Sequence, residues 1–282
     1  MIELRGNMKR LINLRPSRGL GLLLALLPFL VAGGFYVSAS FVRHINNPGD
    51  RLLPNVTQLI EGIQQVAFSE EKRTGMIILW GDTHASLVRL GLGIGISAIA
   101  GLLFGILTGM FPYARSTFSP MIAVLSLIPP MAILPILFIA LGLDELSKIA
   151  LIVLGIAPFI MRDIQARVLE IPGEQLIKAQ SLGASSWQIA LRVILPQITP
   201  RLIDTVRLSM GAAWLFLISA EAIAAEQGLG YRIFLVRRYM AMDVILPYVA
   251  WITLLAYVSD RLLLKLNHRC FPWLFHKLEE PI

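Results

Sequence analysis

The chain has 282 residues, of which 56% are hydrophobic and only 15% charged. A soluble domain carries about a quarter charged residues, so this deficit excludes an ordinary soluble enzyme and points to an integral membrane protein. The net charge of +7 does not indicate nucleic acid, because Lys and Arg sit mainly at the ends of apolar runs instead of alternating with aromatics.

Residues 1–18 are polar and basic, and the apolar run from Gly19 to about Phe41 is long enough to cross the roughly 30 Å hydrocarbon core. A cleaved signal peptide is the competing reading, with Ser38-Ala39-Ser40 as a weak cleavage-like site. The run exceeds the usual signal core of about 7–15 residues, which favours a retained span. Residues 42–86 are polar, with an amphipathic piece around Val56–Val66 and an acidic-basic cluster Glu70-Glu71-Lys72-Arg73. Five further spans are expected near Ser86–Met110, Thr117–Leu141, Leu146–Met161, Leu202–Ala222 and Val244–Leu264. A polar segment, 162–200, separates the fourth span from the fifth, and a Gly-containing connector, 223–243, precedes the sixth.

Six spans place both termini on one side. The segments on that side, with 162–201 among them, hold 15 of the 25 Lys and Arg residues, against 8 on the other side. Positive charge marks the cytoplasmic side, so both termini and the 162–201 segment are expected there.

Within the second span, Gly101, Gly105 and Gly109 lie four apart on one helix face and allow close helix packing. The third carries Pro129, Pro130 and Pro135, each of which removes a helix donor and kinks the chain. Freed carbonyls in the membrane must face protein or a water-lined cavity. These prolines are therefore candidates for a translocation path, a purely structural kink being the alternative; Glu221 is assigned to the same path.

Arg89, Arg207, Glu221 and Asp260 fall near span ends, where snorkelling to the interface is expected. The sequence shows no intramembrane charge relay, no Gly-x-x-x-x-Gly-Lys phosphate loop, and none of the metalloprotease or serine-hydrolase motifs. The single cysteine, Cys270, excludes an internal disulfide, and His44, His84, His268 and His276 lack metal-ligand spacing. No cofactor is expected on this chain.

The 174–196 stretch is polar and helix-forming. Pro172-Gly173 breaks the chain, Glu174 to Gln180 forms a short helix, and Gly183 is a hinge. Ser185-Ser186 caps a second helix that ends at Leu195-Pro196. Ala179 and Gly183 form a smooth face for a partner groove, and Trp187 is an exposed aromatic suited to an interface. The alternative is a helix that only rests on lipid headgroups.

The pattern Ala179, Gly183-Ala184 and Val193-x-Leu195-Pro196 resembles the coupling loop of ABC importer permeases, which docks on an ATPase. The likeness extends over roughly residues 84–266, through Ile128-Pro129-Pro130-x-Ala132-x-Leu134-Pro135, Leu141-Gly142-Leu143-x-Glu145-x-Ser147-Lys148, Ala220-Glu221 and Gly228-Leu229-Gly230-Tyr231. These motifs resemble the branch of permeases for nitrate, sulfonate, taurine and related small anions. One departure is clear: Ile177-Lys178-Ala179 stands where the family pattern reads Glu-Ala-Ala, with Glu174 one helical turn earlier.

The resemblance implies an all-α, six-span membrane protein with a cytoplasmic coupling helix-turn-helix. It implies an N-terminal region (1–83), a permease core (84–266) and a cytoplasmic tail (267–282). It further implies residence in a bacterial inner membrane, and two copies of this chain working with a dimer of ATP-binding subunits that hold the ATP and magnesium. A periplasmic or lipid-anchored solute-binding protein that delivers a small anion is implied as well. Coupling residues implied are Glu174, Ala179, Gly183, Ala184, Trp187, Leu195 and Pro196. The alternatives from other classes are an ion-coupled carrier acting alone and a membrane-embedded enzyme or scaffold. Arg232, Arg237 and Arg238 are candidates for contact with an anion, an acidic binding protein or lipid.

Overall fold

The computed structural model describes residues 16–47, 50, 52–68 and 77–275. The Glu70–Arg73 cluster lies outside the described residues. The described chain is helical throughout: α1 (Arg18–Asn46), α2 (Val56–Phe68), α3 (Ile78–Met110), α4 (Pro112–Leu125), α5 (Pro130–Leu141), α6 (Glu145–Leu169), α7 (Gly173–Ser181), α8 (Ser186–Ile189), α9 (Leu195–Ala224), α10 (Leu229–Arg237), α11 (Met242–Cys270) and α12 (Pro272–Phe275).

The centre of the bundle is the pair α3 and α6. Gly93 faces Ile152, Gly101 faces Ile160, Gly105 faces Ile164 and Gly109 faces Val168. The partners advance together, so the two helices run parallel. A Cβ on Gly101 or Gly105 would collide with the isoleucine opposite, so the small-residue stripe sets the interhelical distance. Overpacking at such a contact costs about 1–3 kcal/mol.

Parallel neighbours require a return crossing between them. α4 and α5 supply it as one span bent by 95°. The geometry excludes a re-entrant loop: α4 starts where α3 ends, while Glu145, just after α5, pairs with Arg89 near the start of α3. The expected kink at Pro129 and Pro130 is thus a complete break. Two consecutive residues without N–H groups, each disfavouring α geometry in the residue before it, stop α4 at Leu125 and restart the helix at Pro130. Arg162 of α6 donates to the Ser126 hydroxyl at 2.8 Å and holds the break in place.

α9 packs antiparallel to α6, with Thr205 donating to Asp163 and Phe216 against Gly155. α11 packs antiparallel to α9, with Arg207 on Asp260 at 2.9 Å and Asn267 donating to the Pro200 carbonyl at 3.1 Å. Ile152, Ile160, Ile164, Ala213 and Leu217 form the fully buried centre. α1 stands apart in character: none of its apolar window is buried, while Tyr36 and Ser40 bond to the carbonyls of Pro54 and Leu53. Such a helix is solvated by lipid tails.

Several boundaries differ from the sequence reading, beginning with α3, which starts at Ile78, eight residues before the expected Ser86. α6 continues to Leu169, eight residues beyond the expected end at Met161. The helix expected to stop at Leu195-Pro196 instead runs unbroken from Ser186 to Ala224, passing through a π turn at Ala190–Ile194. The Leu195 N–H reaches back to the Ala190 carbonyl, and this wider ring accommodates the proline that follows. The connector 223–243 contains a helix, α10.

Candidate functional site: a hairpin at one end and a buried charge cluster at the other

At the end of the bundle where α6 finishes and α9 begins, α7 and α8 form a helical hairpin. Its geometry is locally determined. Glu174 lies in the first turn of α7, where a carboxylate favours the helix dipole. At the other end, the Gly183 N–H bonds to the Gln180 carbonyl at 2.9 Å and the Ala184 N–H to the Ala179 carbonyl at 3.0 Å. That pair of bonds is a Schellman cap, and it requires the left-handed conformation that Gly183 adopts at φ 79°. The next helix opens with a complete capping box: Ser185 and Gln188 exchange backbone-to-side-chain bonds of 2.8 and 3.3 Å.

The hairpin shows two faces. Leu176, Ala179 and Ala184 pack half-buried against the bundle, while Ile177, Leu182 and Trp187 are 62%, 89% and 71% exposed. The smooth face expected from Ala179 and Gly183 is therefore split. Ala179 points home, and the outward surface consists of larger apolar side chains. A Cβ on Gly183 would meet open space, so its constraint is conformational and not a close approach. Leu195 is half-buried and Pro196 exposed at the base of the hairpin, where Gln197 bonds to Gln175 at 3.2 Å.

The opposite end holds a cluster that sequence reading dispersed to the interface. Arg89 is 5% exposed and Glu221 fully buried, so neither snorkels. Arg89 directs Nε and one terminal nitrogen to Glu145, and the other terminal nitrogen to Glu221 and the Gln227 carbonyl, both at 2.7 Å. Lys148 donates to Glu145 at 3.0 Å. Ser86 donates to Glu221 at 2.8 Å, and its oxygen accepts the Leu229 N–H at 2.9 Å. Each charge thus finds a partner, as burial demands.

This cluster also positions α10. The backbone N–H groups of Gly228, Leu229 and Gly230 are taken up by Asp82, Ser86 and Glu221, at 3.0, 2.9 and 2.9 Å. Gly228 has φ 134°, and a Cβ there would strike the Glu221 carboxylate. Asp82 also accepts from Arg232 and Tyr248, at 2.9 and 3.1 Å. Arg232 is therefore tied to α3, whereas Arg237 and Arg238 remain exposed. A cleft of about 900 Å³ opens beside the cluster, lined by Arg89, Asp144, Glu145, Lys148, Glu226 and Gln227 among others.

The candidate path residues do not converge. Pro129 is exposed and Pro130 half-buried at the break beside Arg162, and Pro135 is exposed on α5. Glu221 belongs to the far cluster, about 25 Å away by the rise of α6 between Glu145 and Arg162. The sequence reading missed Asp82, Ser86 and Arg89 as a unit. The signal was present: they continue, at helical spacing, the same stripe as Gly93, Ser97 and Gly101. Among the described residues no group of His, Cys, Asp or Glu has the geometry of a metal site.

A family described as binding-protein-dependent transport system inner membrane component matches residues 101–270. The taurine transport system permease protein TauC of Escherichia coli is 35% identical over 195 residues, which are 69% of this chain and 71% of TauC. A "probable ABC transporter permease protein" of Brucella melitensis is 33% identical over 91% of this chain and 99% of its own length. Among solved structures, a chain of a bacterial alginate ABC transporter, in complex with a pentasaccharide-bound periplasmic protein, superposes with a TM-score of 0.62. That match covers 89% of this chain and 92% of the other at 14% identity, a likeness of fold alone.

Proposed function

This chain belongs to the family of binding-protein-dependent transport system inner membrane components, and we propose that it is the membrane-spanning subunit of an ATP-driven importer for a small organic acid. A sulfonate such as taurine is the chemical class favoured, through the likeness to TauC. The transport core is residues 84–266, working as a pair of copies. The hairpin end faces the cytoplasm, because residues 162–201 belong to the set of sequence segments that carries 15 of the 25 Lys and Arg residues; on the same count both termini are assigned to that side of the inner membrane. The charge-cluster end then faces a solute-binding protein outside.

The observation that carries this reading is the hairpin. A segment capped at both helices, held to the bundle by Leu176, Ala179 and Ala184, yet presenting Ile177, Leu182 and Trp187 to water, is built for a partner. A separate ATP-binding subunit docks there, and its ATP-driven closure moves α7 and α8. Motion passes into α9 through the continuous helix and its π turn.

Gly183→Asp tests the assignment. The side chain projects into the space the partner would fill, and a carboxylate trapped there is strongly unfavourable. Membrane levels of the variant should match wild type, while the co-purifying ATPase and uptake are lost. Retention of both would refute the docking role. Cysteines at Ser181 and Gln188, in a Cys270→Ser background, should react only from the cytoplasmic side of intact cells.

A further inference from the structure

We propose that Arg89 and Lys148 form an acid-group binding site in the cleft beside the charge cluster, occupied in this state by the Glu145 carboxylate, which an arriving solute displaces. The inference rests on the importer reading and names the solute class that the outer end of the permease accepts.

Glu145 is unlike the other members of the cluster. Its side chain is 58% exposed, while those of Arg89 and Lys148 are only 6% and 5% exposed. One solvent-exposed carboxylate therefore lies across two buried cations. The guanidinium presents its Nε edge and one terminal nitrogen to the two Glu145 oxygens, and Lys148 adds a third donor at 3.0 Å. A planar two-donor edge with an ammonium beside it is a receptor for a carboxylate or a sulfonate.

The rest of the cluster keeps that receptor in place when Glu145 leaves. Arg89 retains Glu221 and the Gln227 carbonyl through its other terminal nitrogen. Glu221 in turn is fixed by Ser86 and the Gly230 N–H. The side of Arg89 turned toward Glu145 opens on a cleft of about 900 Å³, room enough for a small solute with water.

The cleft also selects beyond the acid group. Asp144 and Glu226 line it, both exposed, and neither makes an ion pair with another described residue. A released Glu145 adds a third carboxylate. A bare anion meets repulsion from these groups, whereas a solute bearing an ammonium on the far side of its acid group gains from them. The site therefore fits a zwitterionic amino acid or aminosulfonate better than a simple oxyanion.

The test uses the permease with its ATPase subunit in lipid nanodiscs, and taurine as the probe. Leu143→Cys in a Cys270→Ser background places a thiol on the cleft wall. Saturating taurine should protect it from a maleimide, and ethanesulfonate, which lacks the ammonium, should protect less. Lys148→Gln should raise the taurine concentration needed for protection about tenfold or more, since a charge-assisted bond is lost. Glu145→Gln should lower that concentration, because the resident counter-ion no longer competes. A purely structural role would make both variants move the same way, and that result overturns the proposal. So does an absence of protection in the parent protein, where folding is not in question. Equal protection by ethanesulfonate overturns the zwitterion assignment. Co-purification of the ATPase is read in parallel: its loss from the parent protein sinks the importer reading, while its retention without taurine protection sinks only the cleft site.

Discussion

The two ends of this molecule solve the same problem in opposite ways. Both carry a short helix after a long one, and both must satisfy the open N–H and C=O groups at helix termini. At the charge-cluster end, α10 receives its caps from afar: Asp82 and Ser86 come from α3, and Glu221 from α9. At the hairpin end, α7 and α8 cap themselves within six residues, through Gly183, Ala184, Ser185 and Gln188. Remote capping welds α10 to the bundle. Local capping keeps the backbone of the turn between α7 and α8 paired without help from the bundle, so movement of the hairpin passes into α9 through the continuous helix. The first arrangement suits a fixed platform, the second a moving coupling element.

The largest effect should come from breaking the welded end. Glu221→Leu leaves Arg89 facing one partner fewer inside the bundle and strips the Gly230 N–H and the Ser86 hydroxyl of their acceptor. Removing one member of a buried ion pair costs about 3–5 kcal/mol. Thermal unfolding in detergent should show a marked drop in midpoint, with α10 released. A variant as stable as wild type would mean that the cluster does not fix this end. By contrast, Leu182→Ser at the hairpin should leave the midpoint within the noise of the measurement, since Leu182 is 89% exposed.

The two ends also differed in how plainly they could be read from sequence. The hairpin was legible because its signals are local: Pro172-Gly173 before α7, Gly183 after it, and Ser185 with Gln188 three residues on. Which face turns outward was not, because burial of Ala179 depends on where the hairpin lies against the bundle. The charge cluster was hidden for the converse reason. Arg89, Glu145 and Glu221 lie far apart in the chain, and each alone reads as a charge near a span end. The parallel packing of α3 on α6 brings Arg89 to Glu145, and α9 beside them brings Glu221 to Arg89. The break in the third span was legible in kind from Pro129 and Pro130, but its 95° angle, set by where α4 and α5 pack on the bundle, was not.

A smaller effect is expected at Gly183. Alanine there must adopt φ near 79°, which costs a non-glycine residue roughly 1–2 kcal/mol. Nothing lies within reach of the new methyl group, so the whole penalty is conformational. Asn tolerates the left-handed region far better than Ala. Gly183→Asn should therefore retain most of the stability of the hairpin and Gly183→Ala should not, as read by hydrogen exchange of the Ala184 amide. If both left the Ala184 amide as protected as in the wild type, the defect of Gly183→Asp in ATPase capture would have to be assigned to contact with the partner and not to the fold of the hairpin.

The smallest effect still open to measurement should be at Ser185, and it is the one that separates self-capping from remote capping most directly. Ser185→Ala removes the acceptor for the Gln188 N–H and leaves the reciprocal bond from Gln188 to the backbone without its counterpart. Loss of an N-cap serine costs about 0.5–2 kcal/mol. Because Ser186–Ala224 is one continuous helix anchored by Ile189, Ile194 and Ile198, only its first turn should fray. Hydrogen exchange should quicken at Gln188 and Ile189, whose N–H groups bond to Ser185, and stay unchanged at Gly230 and Arg232. Ser185→Asp restores the cap and adds a charge that favours the helix N-terminus, so it should reverse the fraying. If fraying instead spread through the π turn into α9, the hairpin would not be an independent unit. The first turn of α8 would then be carrying the stability of the span, and the contrast between the two ends would fail.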